Sequence, residues 1–228
     1  MADATYQPKT YREQGGDRHV IASSGSLDVE SGGEIDIESG GALKIAGTAI
    51  TATAAEINQI DGSILSDMTP GTGISTGTGT ICEHSVVKVG GIYHTTILLD
   101  VTGLNGSGTA GDVIGKDGAT ANCHIGQITA AVNGTVTAGR MTCLEAPAGG
   151  NADIDVYGNV TEATLAQDTA ISAATGEAIL INHGAWAAGV MDELSALPAA
   201  DGYLYLVCGA ATDADFTAGK FLIELWGV

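Results

Sequence analysis

Four groups of residues in this 228-residue chain have types and spacings that could do chemistry, and each lacks a part its chemistry requires. Gly73-Ile74-Ser75-Thr76-Gly77 matches the GxSxG pattern of a serine nucleophile elbow. That turn exposes its serine because a strand enters it and a helix leaves it. Here Pro70-Gly71 precedes the motif and Thr-Gly repeats follow, so it reads as a loop that matches by composition. Residues 111–117, Gly-Asp-Val-Ile-Gly-Lys-Asp, approach a phosphate loop, but its first glycine would fall at Ala110. Asp117 also stands where a Ser or Thr must bind magnesium. Asn151, Asp153, Asp155 and Glu162 hold positions 1, 3, 5 and 12 of a calcium loop, yet Val156 replaces the glycine that makes its sharp turn. Asp153 and Asp155 would share one face of a strand, as solvated surface.

The fourth group is metal ligands. Of the five histidines (His19, His84, His94, His124, His183), only His84 and His124 lie close to cysteines, Cys82 and Cys123. Cys82 and His84 would project from the same strand face, whereas Cys123 and His124 would point oppositely. Half-buried structural histidines are the expectation. The four cysteines (Cys82, Cys123, Cys143, Cys208) are spread without a CxxC and read as buried free thiols. No constellation supports a reaction, so no catalytic residue, metal or cofactor is expected, and the protein is not read as an enzyme.

Positioning any such group falls to strands and turns. From Ile81 to Val228, apolar-polar alternation predicts strands near 84–89, 92–101, 122–132, 139–145, 152–157, 177–182, 203–209 and 220–226. Turns are expected at Gly90-Gly91, Asn105-Gly106, Asn133-Gly134, Gly149-Gly150 and Gly209. Count and spacing predict an antiparallel β-sandwich, jelly-roll-like, over 81–228. Within 186–197, Val190, Leu194 and Leu197 sit at helical spacing but Gly189 interrupts them, so that stretch fits helix and loop alike.

Upstream lie three further segments. Residues 1–24 are polar without sustained periodicity, an extended arm that orders against a partner. From Gly25 the chain reads GSLDVESG, GEIDIESG, GALKIAGT, an eight-residue unit repeated three times over 25–47. Leu27, Ile35 and Leu43 take one position and Val29, Ile37 and Ile45 another, with Asp28, Asp36 and Lys44 between. Each unit reads as a short strand with one buried face, and the Ser-Gly-Gly steps at 31–33 and 39–41 as corners tolerant of positive φ. This rhythm predicts a short β-solenoid or β-prism. Six aliphatics cannot close a core within one chain, so identical neighbours are expected to complete it in a homotrimer. In 48–80, Thr53 and Glu56 form a capping box for a helix over 54–60 ended by Gly62, and a Gly/Thr-rich linker follows.

Composition agrees. Hydrophobic residues make up 44% of the chain, enough for a core, while 34 glycines favour turns and short strands over helices. The fold class is therefore mainly β. A net charge of −19 repels phosphate backbones, so nucleic acid is not an expected partner. No apolar run approaches the length of a membrane span, so no membrane insertion is expected. MADATYQPKT lacks the apolar stretch of a secretory signal, which implies synthesis in the cytoplasm.

Residues 51–62, TATAAEINQIDG, resemble the T-A-T-A-A-E-L-N-x-L-D-G segment common in structural proteins of tailed phages. GGDRHVIASSGSLDVESG, residues 15–32, is similar to the start of phage head-fibre and decoration proteins. AGRMTCLEAPAGG (138–150) and LSALPAADGYLYLV (194–207) are similar to phage proteins without an assigned role. The resemblance implies a trimeric virion protein on the outer surface of a capsid, a head-fibre or capsid-decoration subunit. Its expected partners are itself, through Leu27, Val29, Ile35, Ile37, Leu43 and Ile45, and the major capsid protein. The arm would dock on the shell through Tyr6, Tyr11, Arg12 and Arg18, since its charges cancel: Lys9, Arg12 and Arg18 against Asp3, Glu13 and Asp17. Tyrosines offer rigid contact area, and arginines offer bidentate pairs to carboxylates. The helix motif recurs in tail fibres, so a short tail fibre or receptor-binding protein is the alternative; a glycan-cleaving spike is a third. Scarce aromatics, with Trp186 and Trp226 the two tryptophans, weigh against a receptor-binding tip.

Overall fold

The computed structural model describes residues 9–12, 15, 18–38, 40–51 and 68–228. The helix expected over 54–60 lies outside them. The chain forms two compact units, Met1–Thr53 and Ala54–Val228.

In the first unit, β1 (Thr10–Arg12) and β2 (His19–Ile21) pair antiparallel, with Tyr11 opposite Val20. The arm thus carries a hairpin where an unpaired extended segment was expected. The octads then repeat one local structure. The amides of Gly25, Gly33 and Gly41 donate to the carbonyls of Ala22, Glu30 and Glu38 at 2.8, 2.8 and 2.9 Å. Each bond closes a four-residue turn whose third residue has positive φ: Ser24 at 61°, Gly32 at 85° and Gly40 at 89°. A positive φ at the third position favours glycine there, as at Gly32 and Gly40. The corners fall where the sequence placed them, and one more stands an octad earlier, at 22–25. The intervening residues form no strand among the described residues until β3 (Lys44–Ile45) meets β4 (Thr48–Ala49) in a hairpin.

The second unit is a pair of antiparallel sheets, both open. Its strands are β5 (Ile81–Val89), β6 (Ile92–Asp100), β7 (His124–Gln127), β8 (Val136–Ala148) and β9 (Ile154–Val160). They continue with β10 (Ala178–Ile181), β11 (Met191–Glu193), β12 (Tyr203–Cys208) and β13 (Ala218–Gly227). One sheet has the order β11-β8-β13-β6-β5 and the other β10-β9-β12-β7. Period-2 patterning makes the inner faces: Phe221, Ile223 and Leu225 of β13, Ile97 and Leu99 of β6, and Ile154, Val156 and Val160 of β9 enter one shared core. β12 is buried along nearly its whole length because irregular segments cover its second side; Tyr205 donates its hydroxyl to the Glu162 carbonyl at 2.6 Å.

All eight expected strands overlap an observed one, and the differences have physical causes. The strand expected over 122–132 ends at Gln127, and Ala130–Asn133 is instead a single helical turn, α2, whose Thr129 side chain accepts from the Val132 amide. No turn forms at Asn105-Gly106. Asn105 is buried and bridges strand-like to Gly115 and Asp215, and the reversal lies at Gly103, φ 78°. The ambiguous stretch 186–197 contains β11 and turns, not a helix. Residues 68–80 pack into this unit rather than linking to it. A one-turn helix, α1 (Thr72–Ser75), buries Ile74, and the amides of Gly71 and Gly73 donate to the carbonyls of His124 and Asn122 at 2.9 and 3.0 Å.

Candidate functional site

The first candidate surface is the octad ladder. Leu27, Val29, Ile35, Ile37, Leu43 and Ile45 are between 45% and 67% exposed in the single chain. The turns order them. A Cβ on Gly33 would lie 2.9 Å from Val29 Cγ1, and one on Gly41 would lie 2.7 Å from Ile37 Cγ2, so each glycine seats the aliphatic of the octad before it. Covering the exposed parts of six such side chains would be worth roughly 5–10 kcal/mol per chain at ordinary transfer values. Of the four arm residues expected to dock, Tyr11 and Arg12 lie in β1 and are exposed, and Arg18 directly precedes β2. Because Arg12 pairs with His19, both arginines stand at one end of the hairpin. Tyr6 lies outside the described residues.

The chemical motifs of the sequence do not assemble into sites. Ser75 is exposed in α1, and no hydrogen bond joins its hydroxyl to a histidine among the described residues. Asn151 accepts from the Asp153 amide at 2.8 Å and donates to Thr212, while Glu162 accepts from the Thr175 amide at 3.0 Å, so the side chains at the first and last calcium-loop positions serve separate local bonds. Asp155 is not solvated surface: it is 5% exposed on β9, and its Oδ1 has no hydrogen bond among the described residues. Burial, and then the neighbouring Asp153 carboxylate, push its pKa up to about 6.

Cys82 Sγ does lie near His84 Nε2, 3.8 Å away on the same strand face. His84 Nε2 is taken by the Ile125 carbonyl at 2.5 Å, and Cys123 turns into the core while His124 packs against Tyr203 with ring centres 4.8 Å apart. No group of three or more His, Cys, Asp or Glu side chains could hold a metal ion among the described residues. Burial pushes the thiols of Cys82 up to about 12 and of Cys123 and Cys208 up to about 11, away from thiolate chemistry.

The second candidate surface was missed at the level of sequence. It lies on the outer face of the five-stranded sheet, where β13 places Trp226 between His94 of β6 and Ala138 of β8. The indole stacks on the His94 imidazole, with centres 5.4 Å apart and planes 7° from parallel. The Arg140 guanidinium lies 5.5 Å from the indole centre and holds Glu224 through Nε at 2.7 Å and Nη2 at 2.6 Å. Glu224 also meets His94 Nε2 at 3.3 Å. Beside Trp226 opens a slot of about 330 Å³ lined by Thr137, Ala138, Gly139, Arg140, Glu193, Leu194 and Leu197. The signal was available: if Phe221, Ile223 and Leu225 face the core, period 2 puts Trp226 outside.

No helix among the described residues is long and apolar enough to cross a membrane. Compared with family models, curated proteins and solved structures, the chain matches none of them significantly.

Proposed function

We propose that this protein is a non-enzymatic structural subunit that decorates the outer surface of a tailed-phage capsid as a homotrimer. The observation that carries this reading is the octad ladder: six aliphatics, ordered by repeating turns, that one chain leaves half uncovered. Three copies would wind these octads into a β-prism-like stalk with the aliphatics inside. The two sheets of the second unit would serve as the outer sandwich, and the hairpin-bearing arm would dock on the major capsid protein. A location on the head rests on the resemblance of residues 15–32 to head-fibre proteins.

A short tail fibre or receptor-binding protein is the second reading, and Trp226 on an outer sheet face favours it. Copy number separates the two: decoration requires a count matched to capsid symmetry, whereas tail fibres number a few trimers. Quantitative mass spectrometry of purified virions reads this directly. Deleting residues 1–24 is expected to leave a folded trimer that no longer binds particles lacking the protein. Full binding by the truncated trimer would place attachment elsewhere.

A further inference from the structure

We propose that the slot beside Trp226 is a binding site for a neutral pyranose sugar. The platform is prebuilt. Trp226 is flanked by His94 across one strand boundary and by Arg140 diagonally across the other, and Glu224 holds Arg140 and lies 3.3 Å from His94 Nε2. An aromatic ring fixed in this way loses little freedom when a ligand covers it. The indole is only partly exposed because His94 takes one side; its other side borders the slot, with the Arg140 guanidinium 5.5 Å from the ring centre. The residue paired with Trp226 there is Ala138, whose single methyl leaves the gap, and Leu194 and Leu197 close it from the loop after β11. At about 330 Å³ the slot stands at the lower end of ligand-pocket sizes, suited to one or two sugar rings.

Charge selects the ligand class. A chain of net charge −19, with Glu193 and Glu224 at this surface, disfavours an anion. Arg140 already occupies the cation position at the indole, which disfavours an ammonium ligand. A purely apolar ligand would desolvate polar groups without pairing them: the Glu193 carboxylate and Arg140 Nη1 have no hydrogen-bond partner among the described residues. A pyranose satisfies both demands, with C–H groups for the part of the indole that His94 and Arg140 leave uncovered and hydroxyls for a carboxylate and a guanidinium. The inference is independent of where the protein sits on a particle.

Saturation-transfer difference NMR tests it on the full chain. The probes are the methyl glycosides of glucose, galactose, mannose and N-acetylglucosamine, with cellobiose, lactose and maltose. Choline and glucose 6-phosphate serve as the cationic and anionic comparisons. At least one neutral sugar is expected to show saturation transfer on its ring protons and to perturb Trp226 fluorescence. The buried Trp186 supplies the unchanging component of that emission. Trp226→Ala, and Ala138→Leu as a plug that keeps the indole, are each expected to weaken binding roughly tenfold or more. Circular dichroism of the variants should match the wild type. The proposal is overturned if every neutral sugar fails, if choline or glucose 6-phosphate binds the slot better, or if folded Ala138→Leu and Trp226→Ala proteins bind as the wild type does.

Discussion

A carboxyl group buried without a cation is stabilised by keeping its proton, and Asp155 is placed to do so. Its pKa in the folded chain, about 6, stands above the ordinary 3.8. The folded state therefore holds a proton that the unfolded state has released across that window, so this residue's contribution to stability falls as pH rises from about 4 to about 6 and is flat above. Asp155→Asn removes the charged form while keeping the shape. It is expected to stabilise the protein by roughly 1–2 kcal/mol at about pH 8 and by almost nothing near pH 4, less whatever its amide loses by being unpaired. Urea unfolding of both proteins at the two pH values measures the difference, and equal midpoints at the higher pH would remove Asp155 as a strained site. The same residue marks a limit of pattern reading. Alternation sets Asp155 opposite the apolar Ile154 and Val156 and so predicts exposure, yet all three are buried.

At the scale of elements, what was legible is what alternation writes. β6, β8 and β13 each separate an apolar from a polar face, and each was found within a few residues. What was illegible is held by bonds rather than by pattern. The segment between β6 and β7 buries Leu104, Val113 and Ile114 with no strand of its own, and side-chain amides fix it: Asn105 donates to Asp215 at 2.9 Å and Gln167 donates to Asn105 at 3.2 Å. Strand β11, three residues long, is too short to show a period. The Trp226 slot was legible in part, since alternation places the tryptophan outside, whereas the gap depends on a cross-strand register that puts Ala138 opposite. The Gly/Thr stretch near α1 looked like a linker because its glycines read as flexibility. They are contact points instead: a Cβ on Gly71 would run into the Asn122 carbonyl. Gly71→Ala is therefore expected to cost about 3 kcal/mol, the upper range for overpacking, and to lower the midpoint in chemical unfolding. A neutral outcome would mean that residues 68–80 are only loosely attached.

At the scale of the whole molecule, the proposed trimer makes a demand that the single chain does not. Ile35 and Ile37 are exposed in one copy, so replacing both with Asp leaves a monomer unharmed. In a three-copy stalk the same change gathers six carboxylates at a shared core, at several kcal/mol for each unpaired buried charge. The double variant is expected to sediment as a monomer whose second unit keeps its circular dichroism. A wild-type protein that sediments as a folded monomer would end the trimer proposal.

The spacing of the octad turns carries a consequence for how such a segment changes length. Its turns close at Gly25, Gly33 and Gly41, so the segment advances in equal steps, each ending in the same phase. Removing residues 25–32 joins Ser24 to Gly33 and restores an Ala-Ser-Ser-Gly turn, with every later aliphatic still on its original side. Removing only 27–30 breaks that phase. The whole-octad deletion is expected to keep its oligomeric state in sedimentation, and the half-octad deletion to lose it. Insertions and deletions are then tolerated as a ruler tolerates them, by the full division and not by the fraction.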